Sequence, residues 1–241
     1  MKIAVLGASG TAGRAIVRRA REEGHDVAEL SRSTGVDITT GEGLTPALSG
    51  QDVVIDASAP SGEDVIAAHK TAAQQISKSA QEAGVSHLVY LSICNIDNEG
   101  FDEFDYYVAK REQESVYAAS PVPTSIVRSA QWMEFATNPA AVQLSDSEIV
   151  VSDWLIQPIA VDAVAEALVR TAEGQPTNYD VAGPEQIHLP ELTELLFRAR
   201  GDERPVRTVP APIAELGEGA LLAPKGAEIL GPPPSDWVRE N

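Results

Sequence analysis

Residues 2–6 read KIAVL, a short apolar run that breaks into GASGTAG at 7–13 before a helical pattern begins. Gly7, Gly10 and Gly13 thus stand at a strand-to-helix junction, where residues of poor helix and strand propensity need a reason to be. Gly7 suits a tight turn as the chain leaves the strand. Gly10 lets the backbone approach a ligand with no Cβ in the way, and Gly13 lets the helix pack close to the sheet. The first amides of that helix, and its dipole, then favour an anion, for which a pyrophosphate is the natural guest. The spacing is G-x-x-G-x-x-G. Arg14 and Ala15 follow Gly13, so the G-K-[ST] ending of a Walker-type phosphate loop is missing. Dinucleotide binding is the expectation, and a purely structural glycine turn is the competing reading.

The rest of the chain alternates in a way that fits this start. Thr11 to Gly24 reads as a helix, with Ala12, Ile16 and Ala20 on one face and Gly24 as its stop. DVAEL (26–30), QDVVIDAS (51–58), HLVYLSI (87–93) and TSIVRSA (124–130) read as strands. A short helix is expected over 43–50, and longer ones over 62–83 and 103–119. Strands without polar alternation, separated by helices, predict a parallel sheet covered on both faces, and right-handed crossovers make it doubly wound. Beyond residue 131 the pattern loosens. Strands are expected at 148–153 and 178–183 and helices at 161–174 and 189–200, with a Pro- and Gly-rich remainder. The expected fold class is α/β, a Rossmann-type doubly wound parallel sheet with a small C-terminal substrate lobe. With no linker or repeat visible, residues 1–241 are read as one unit, core about 1–130 and lobe elements 131–241.

Composition narrows the partners. The formal charge is −18, which repels phosphate backbones and anionic lipid, so neither nucleic acid nor a membrane surface is an expected partner. Hydrophobic residues make up 43%, enough for a packed core. No stretch approaches the roughly 18 apolar residues of a membrane span, and the N-terminus is too short in apolar residues for a signal-peptide core. A single cysteine, Cys94, forbids an intrachain disulfide and a multi-thiolate metal centre. The four histidines show no metal-binding spacing, so no metal site is expected. A cytoplasmic protein follows from these readings.

The end of the second strand speaks to the choice of dinucleotide. An NAD site usually carries an acid there for the ribose hydroxyls. Here Glu29 comes too early, and Ser31, Arg32 and Ser33 take the place. A guanidinium flanked by two hydroxyls suits a 2′-phosphate, which argues for NADP(H). A solvated loop arginine is the plainer reading. Further on, FDYYVAKREQE (104–114) opens a helix that puts Tyr106 and Lys110 on one face, with Tyr107 three residues from the lysine. A phenol can exchange a proton with a carbonyl or carbinol oxygen, and a nearby ammonium favours its phenolate. Ser92, at the carboxyl end of the fourth strand, would orient the substrate oxygen. An ordinary amphipathic helix is the alternative.

GASGTAG, LSRS, VVIDAS, LVYLSI, YYVAK and VRSAQWMEF occur in an order that resembles the atypical short-chain dehydrogenases/reductases, and most of all their NmrA-like, NAD(P)H-binding branch. QPIAVDAVAEALV, DVAGPE and PPPSDWV extend the likeness over most of the chain. The resemblance implies that Gly7, Ser9, Gly10, Thr11, Ala12 and Gly13 cradle the phosphates. It implies that Ser31, Arg32 and Ser33 take the adenosine phosphate, that Asp37 and Ile38 border adenine, and that Ala57 and Ser58 line the middle of the cofactor. Lys110 would contact the ribose, while Gln131 and Trp132 would flank nicotinamide and substrate. Within that branch the tyrosine is not always catalytic, and some members resemble redox sensors. The expected function is an NADP(H)-dependent oxidoreductase acting on a small carbonyl, enone or quinone-like substrate, with Tyr106, Lys110 and Ser92 at its centre. A non-catalytic NADP(H)-sensing regulator is the alternative. An epimerase-like enzyme is a third reading, for which the lobe leaves little room. The long helices at 62–83 and 103–119 offer faces for a homodimer.

Overall fold

The apolar runs become neighbouring strands. In a computed structural model that describes residues 1–241, the order of elements begins β1 (Lys2–Leu6), α1 (Thr11–Glu22), β2 (Asp26–Leu30), α2 (Leu44–Leu48), β3 (Val53–Asp56), α3 (Val65–Ala83), β4 (His87–Ile93), α4 (Asp105–Ala118) and β5 (Thr124–Ser129). It continues with β6 (Val142–Leu144), β7 (Ile149–Ser152), β8 (Leu155–Ile156), α5 (Val161–Glu173), β9 (Tyr179–Ala182), β10 (Ile187–His188), α6 (Leu189–Ala199), β11 (Val206–Val209), α7 (Ala214–Gly217), β12 (Glu228–Ile229) and α8 (Pro234–Glu240). The main sheet has seven strands in the order β12-β9-β5-β4-β3-β1-β2, and β1 runs parallel to both β2 and β3. This is a Rossmann-type α/β fold. The chain goes from β1 outward to β2 and then returns to place β3 on the other side of β1. The carboxyl ends of β1 and β3 therefore flank the topological switch point, where such sheets bind ligands.

The chain divides into two compact units, one of residues 1–128 with 164–179, the other of residues 129–163 with 180–241. In the first, β1, β3 and β4 are buried almost throughout because both faces of the sheet are covered. Leu6, Val54, Ile76, Leu88 and Tyr117 belong to one buried apolar cluster. Asp64 caps α3 by accepting from the Ala67 amide, and Gly84 ends that helix in the left-handed conformation. In the second unit β7 pairs with antiparallel β6 and parallel β11, and α6 packs against β7 and β11. Phe135 and Trp154 pack there as a tilted pair with ring centroids 5.4 Å apart. No helix is long and apolar enough to cross a membrane.

Candidate functional site

The glycine turn is built from backbone packed on backbone. Gly7 has φ +73°, and a Cβ on it would lie 2.7 Å from the Ala57 carbonyl oxygen and 2.8 Å from Ser58 Cα. A Cβ on Gly13 would come within 2.0 Å of the Gly7 carbonyl oxygen. The turn is closed by the Gly10 amide donating to the Gly7 carbonyl at 2.9 Å. Gly10 is then the N-cap of α1, with no side chain to cap the helix and no acid in its first turn. The orphan amides of a helix start are thus left to something other than a side-chain cap. Ala8 and Ala12 are buried under the turn, Ser9 and Thr11 are exposed on it, and the Ser9 carbonyl accepts from Arg14.

The loop after β2 is organised by its own hydroxyls. Ser31 caps a 3-10 turn over Arg32–Thr34 in a capping box, and its hydroxyl lies 2.8 Å from that of Ser33. Arg32 is exposed between them. Glu29, earlier on β2, pairs with Arg21 at 2.7 Å. Asp37 accepts from Thr39 N and Oγ1 at 2.8 and 2.6 Å and from Thr40 N at 3.2 Å. Those bonds, the Thr39 hydroxyl first, hold its carboxyl below the usual range. Ile38 is half-buried against the apolar cluster.

At the end of β3, Ala57 and Ser58 line the switch point beside Gly7. Beneath them lies a cluster that the sequence reading did not single out. Asp56 is 1% exposed, and its carboxylate accepts from Ser58 N at 2.9 Å and Ser58 Oγ at 2.5 Å. Its other oxygen accepts from the Tyr117 hydroxyl at 2.5 Å and from Gln113 Nε2 at 3.2 Å. Because the Gln113 amide nitrogen faces Asp56, its oxygen faces the Tyr90 hydroxyl at 2.7 Å and His69 Nδ1 at 2.8 Å. That network assigns the His69 proton to Nδ1. The signal was available: an acid closing an apolar strand, VVID, must find buried donors.

Helix α4 turns an unusual face inward. Its buried residues are Ala109, Lys110, Gln113, Glu114 and Tyr117, so apart from Ala109 the inward stripe carries polar groups. Lys110 Nζ donates to the Leu91 carbonyl at 2.8 Å and stands 4.3 Å from the centre of the Tyr90 ring. Burial pushes its ammonium down to about 8, against the pull of the Asp56 and Glu114 carboxylates. Glu114 is itself gripped by Arg128 through Nε at 2.8 Å and Nη2 at 2.5 Å. Tyr106, one turn earlier, is 47% exposed and meets His69 edge-on at 6.0 Å between ring centroids. Burial around its hydroxyl raises the phenol. Tyr107 stacks on Phe101 at 4.2 Å.

The expected triad is therefore spread in depth. Tyr106 is at the surface of α4, while Lys110 and Ser92 are inside. Ser92 is 2% exposed. Being two residues on from Tyr90 in the same strand, it shares that residue's face of the sheet. Cys94 is buried and donates to the Arg128 carbonyl at 3.3 Å. In the second unit, Trp132 Nε1 donates to Ser129 Oγ at 2.8 Å, and Gln131 is buried. The site's chemical means are a glycine turn with uncapped helix amides, a loop arginine between two hydroxyls, a half-exposed tyrosine and a buried amine of lowered pKa.

A family model described as NAD(P)H-binding matches residues 7–174. Over 233 residues the chain is 27% identical to photosystem II assembly factor Ycf39 from Synechocystis, an alignment covering 87% of this chain and 71% of that protein. It is 29% identical over 292 aligned positions to a (4-alkanoyl-5-oxo-2,5-dihydrofuran-3-yl)methyl phosphate reductase from Streptomyces griseus, covering 99% and 97% of the two chains. Its fold is similar to that of dTDP-4-dehydrorhamnose reductase from Bacillus anthracis, solved in complex with NADP, at a TM-score of 0.74 and 15% identity over 99% and 97% of the chains.

Proposed function

Because the chain belongs to the NAD(P)H-binding family, we propose that it is a cytoplasmic NADP(H)-dependent oxidoreductase of the atypical short-chain dehydrogenase/reductase type, acting on a small carbonyl, enone or quinone-like substrate. The observation that carries this reading is the depth of the α4 pair, an open phenol one turn from a buried amine. The turn at Gly7–Gly13 is packed on main chain and leaves the first amides of α1 without a side-chain cap, which fits a dinucleotide diphosphate. Bound there, the dinucleotide would supply the hydride. Ser9, Gly10, Thr11 and Ala12 would hold its phosphates, with Ala57 and Ser58 along its middle and Asp37 and Ile38 beside its adenine. Ser31, Arg32 and Ser33 would take a 2′-phosphate.

Tyr106 would donate the proton to the substrate oxygen. Its raised phenol stays protonated at neutral pH, the form a donor needs. Lys110 would hold positive charge beneath the substrate and toward the ribose, and Ser92 would complete the polar floor. The single cysteine is free and buried, which suits a reducing compartment. One observation favours a second reading, an NmrA-like NADP(H) sensor without turnover. Lys110 is already committed to the Leu91 carbonyl, and Ser92 is sunk beneath the surface. The similar protein from Synechocystis is named as an assembly factor.

NADPH oxidation against a panel of quinones, enones and aldehydes separates the two. An enzyme should turn over at least one acceptor, and Tyr106→Phe should slow it by about 10²–10⁴-fold, the usual worth of a positioned acid. Tight NADPH binding with no oxidation of any acceptor would favour the sensor. Titration of Arg32→Glu should show NADPH weakened by about 10–100-fold, the scale of one lost charge-assisted contact, with NADH little changed. Equal losses for both would remove the 2′-phosphate role from Arg32.

A further inference from the structure

The histidine spacing predicts no metal site, yet the fold gathers a set of donors that no spacing rule would find. Glu23, His25 and Glu173 offer ligand atoms that all lie within 4.8 Å of one another. We propose that these three side chains form a site for a divalent transition-metal ion. It belongs to the first unit and is independent of the dinucleotide reading.

Three observations carry it. The His25 side chain is only 8% exposed, and its Nε2 is buried without a hydrogen bond. Glu173 Oε1 nevertheless lies 2.9 Å from that nitrogen. The two atoms are near enough to share a cation but are not aligned as N–H and acceptor. Second, α1 ends at Glu22 and α5 at Glu173, so the negative ends of two helix dipoles meet at the cluster and favour a positive charge. Third, Glu173 is exposed, so its carboxylate has room to close on an ion. Ligands of one tetrahedral ion stand about 3.4 Å apart at bond lengths near 2.1 Å.

The neighbours are compatible with a ligand role. Arg19 pairs with Glu23 and, through Nη1 at 3.3 Å, with Glu166. A carboxylate has two oxygens, so the guanidinium can orient Glu23 while the other oxygen ligates. The Met1 amine is 3.5 Å from His25 Nδ1, on the far side of the ring from Nε2. One imidazole with two carboxylates suits zinc, copper or nickel rather than calcium or magnesium. The two carboxylates neutralise a divalent charge. A bound ion would tie the turn before β2 to the end of α5, 148 positions further on from His25, at the edge of the sheet opposite the glycine turn.

The test uses the full chain after treatment with a chelator. Titration with zinc chloride in a calorimeter should show one ion per chain, and thermal unfolding should shift upward with zinc as binding to the folded state requires. His25→Ala and Glu173→Gln should each lose at least 10-fold in zinc affinity while far-ultraviolet circular dichroism stays unchanged. Glu173→Gln alters an exposed carboxylate, so it carries the test even if His25→Ala fails to fold. No zinc heat in the wild type, or wild-type affinity in Glu173→Gln, overturns the proposal.

Discussion

Gly13→Val should abolish NADPH binding and cost roughly 3 kcal/mol of stability, the upper range for overpacking a site that cannot relax. Even the first carbon of that side chain would sit 2.0 Å from the Gly7 carbonyl oxygen and 2.7 Å from Ala8 Cα, both main-chain atoms. The turn cannot retreat. Gly7 is held in the left-handed region at φ +73° and already abuts the Ala57 carbonyl. Moving it would also break the 2.9 Å bond from the Gly10 amide. Either the helix lifts off the sheet or the turn opens, and both displace the amides at the start of α1. Calorimetric titration with NADPH and urea unfolding read the two effects separately. A folded Gly13→Val protein with wild-type NADPH affinity would falsify the assignment of this turn as the phosphate cradle.

Asp56→Ala should destabilise the protein by about 3–5 kcal/mol, the cost of removing one side of a buried charged network. Tyr117, Gln113 and both groups of Ser58 would lose their acceptor at once. Asp56→Asn keeps the shape and should lose less. It also removes the first of the two carboxylates that support the Lys110 charge, so the lysine should fall below its value of about 8. The sign is set by the lowered folded pKa. Between the folded value and the unfolded 10.5 the unfolded chain holds more protons at this residue, so its contribution to stability rises with pH and is lost as pH falls through about 8. In Asp56→Asn that window extends toward lower pH. Urea unfolding at pH 7 and 9 for Asp56→Asn, and for Asp56→Asn with Lys110→Met, checks it. An Asp56→Ala protein within 1 kcal/mol of wild type, a margin typical of surface changes, would show that the network is not what holds this end of β3.

The strands β1, β3 and β4 were legible because each is mostly apolar without alternation, and β4 occupies HLVYLSI from end to end. Their alternation with helices was enough to order the first half of the fold. The two-residue strands β8, β10 and β12 were not legible, since two residues carry no period. Gly7 and Gly13 announced close backbone packing, and the structure supplies the partners: Ala57 and Ser58, about 50 positions on, for Gly7, and the neighbouring Gly7 and Ala8 for Gly13. For α4 the spacing of Tyr106 and Lys110 established a common side of the helix but not depth. Depth depends on what lies beneath, and Gln113, His69 and Asp56 meet only through tertiary folding. His69 was unremarkable in sequence for the same reason, as its partner lies 44 residues on.

The hydroxyl-bonded loop at 31–34 has an evolutionary consequence. Ser31 and Thr34 close it through their own side chains and backbone, so the guanidinium at position 32 is a passenger on a frame that stands without it. Exchanging that one residue should retune which adenine dinucleotide the chain prefers at little expense to folding. The glycine turn has no such freedom. On the proposed reading, a lineage carrying this architecture would drift between phosphorylated and unphosphorylated cofactors while the glycine turn stays frozen.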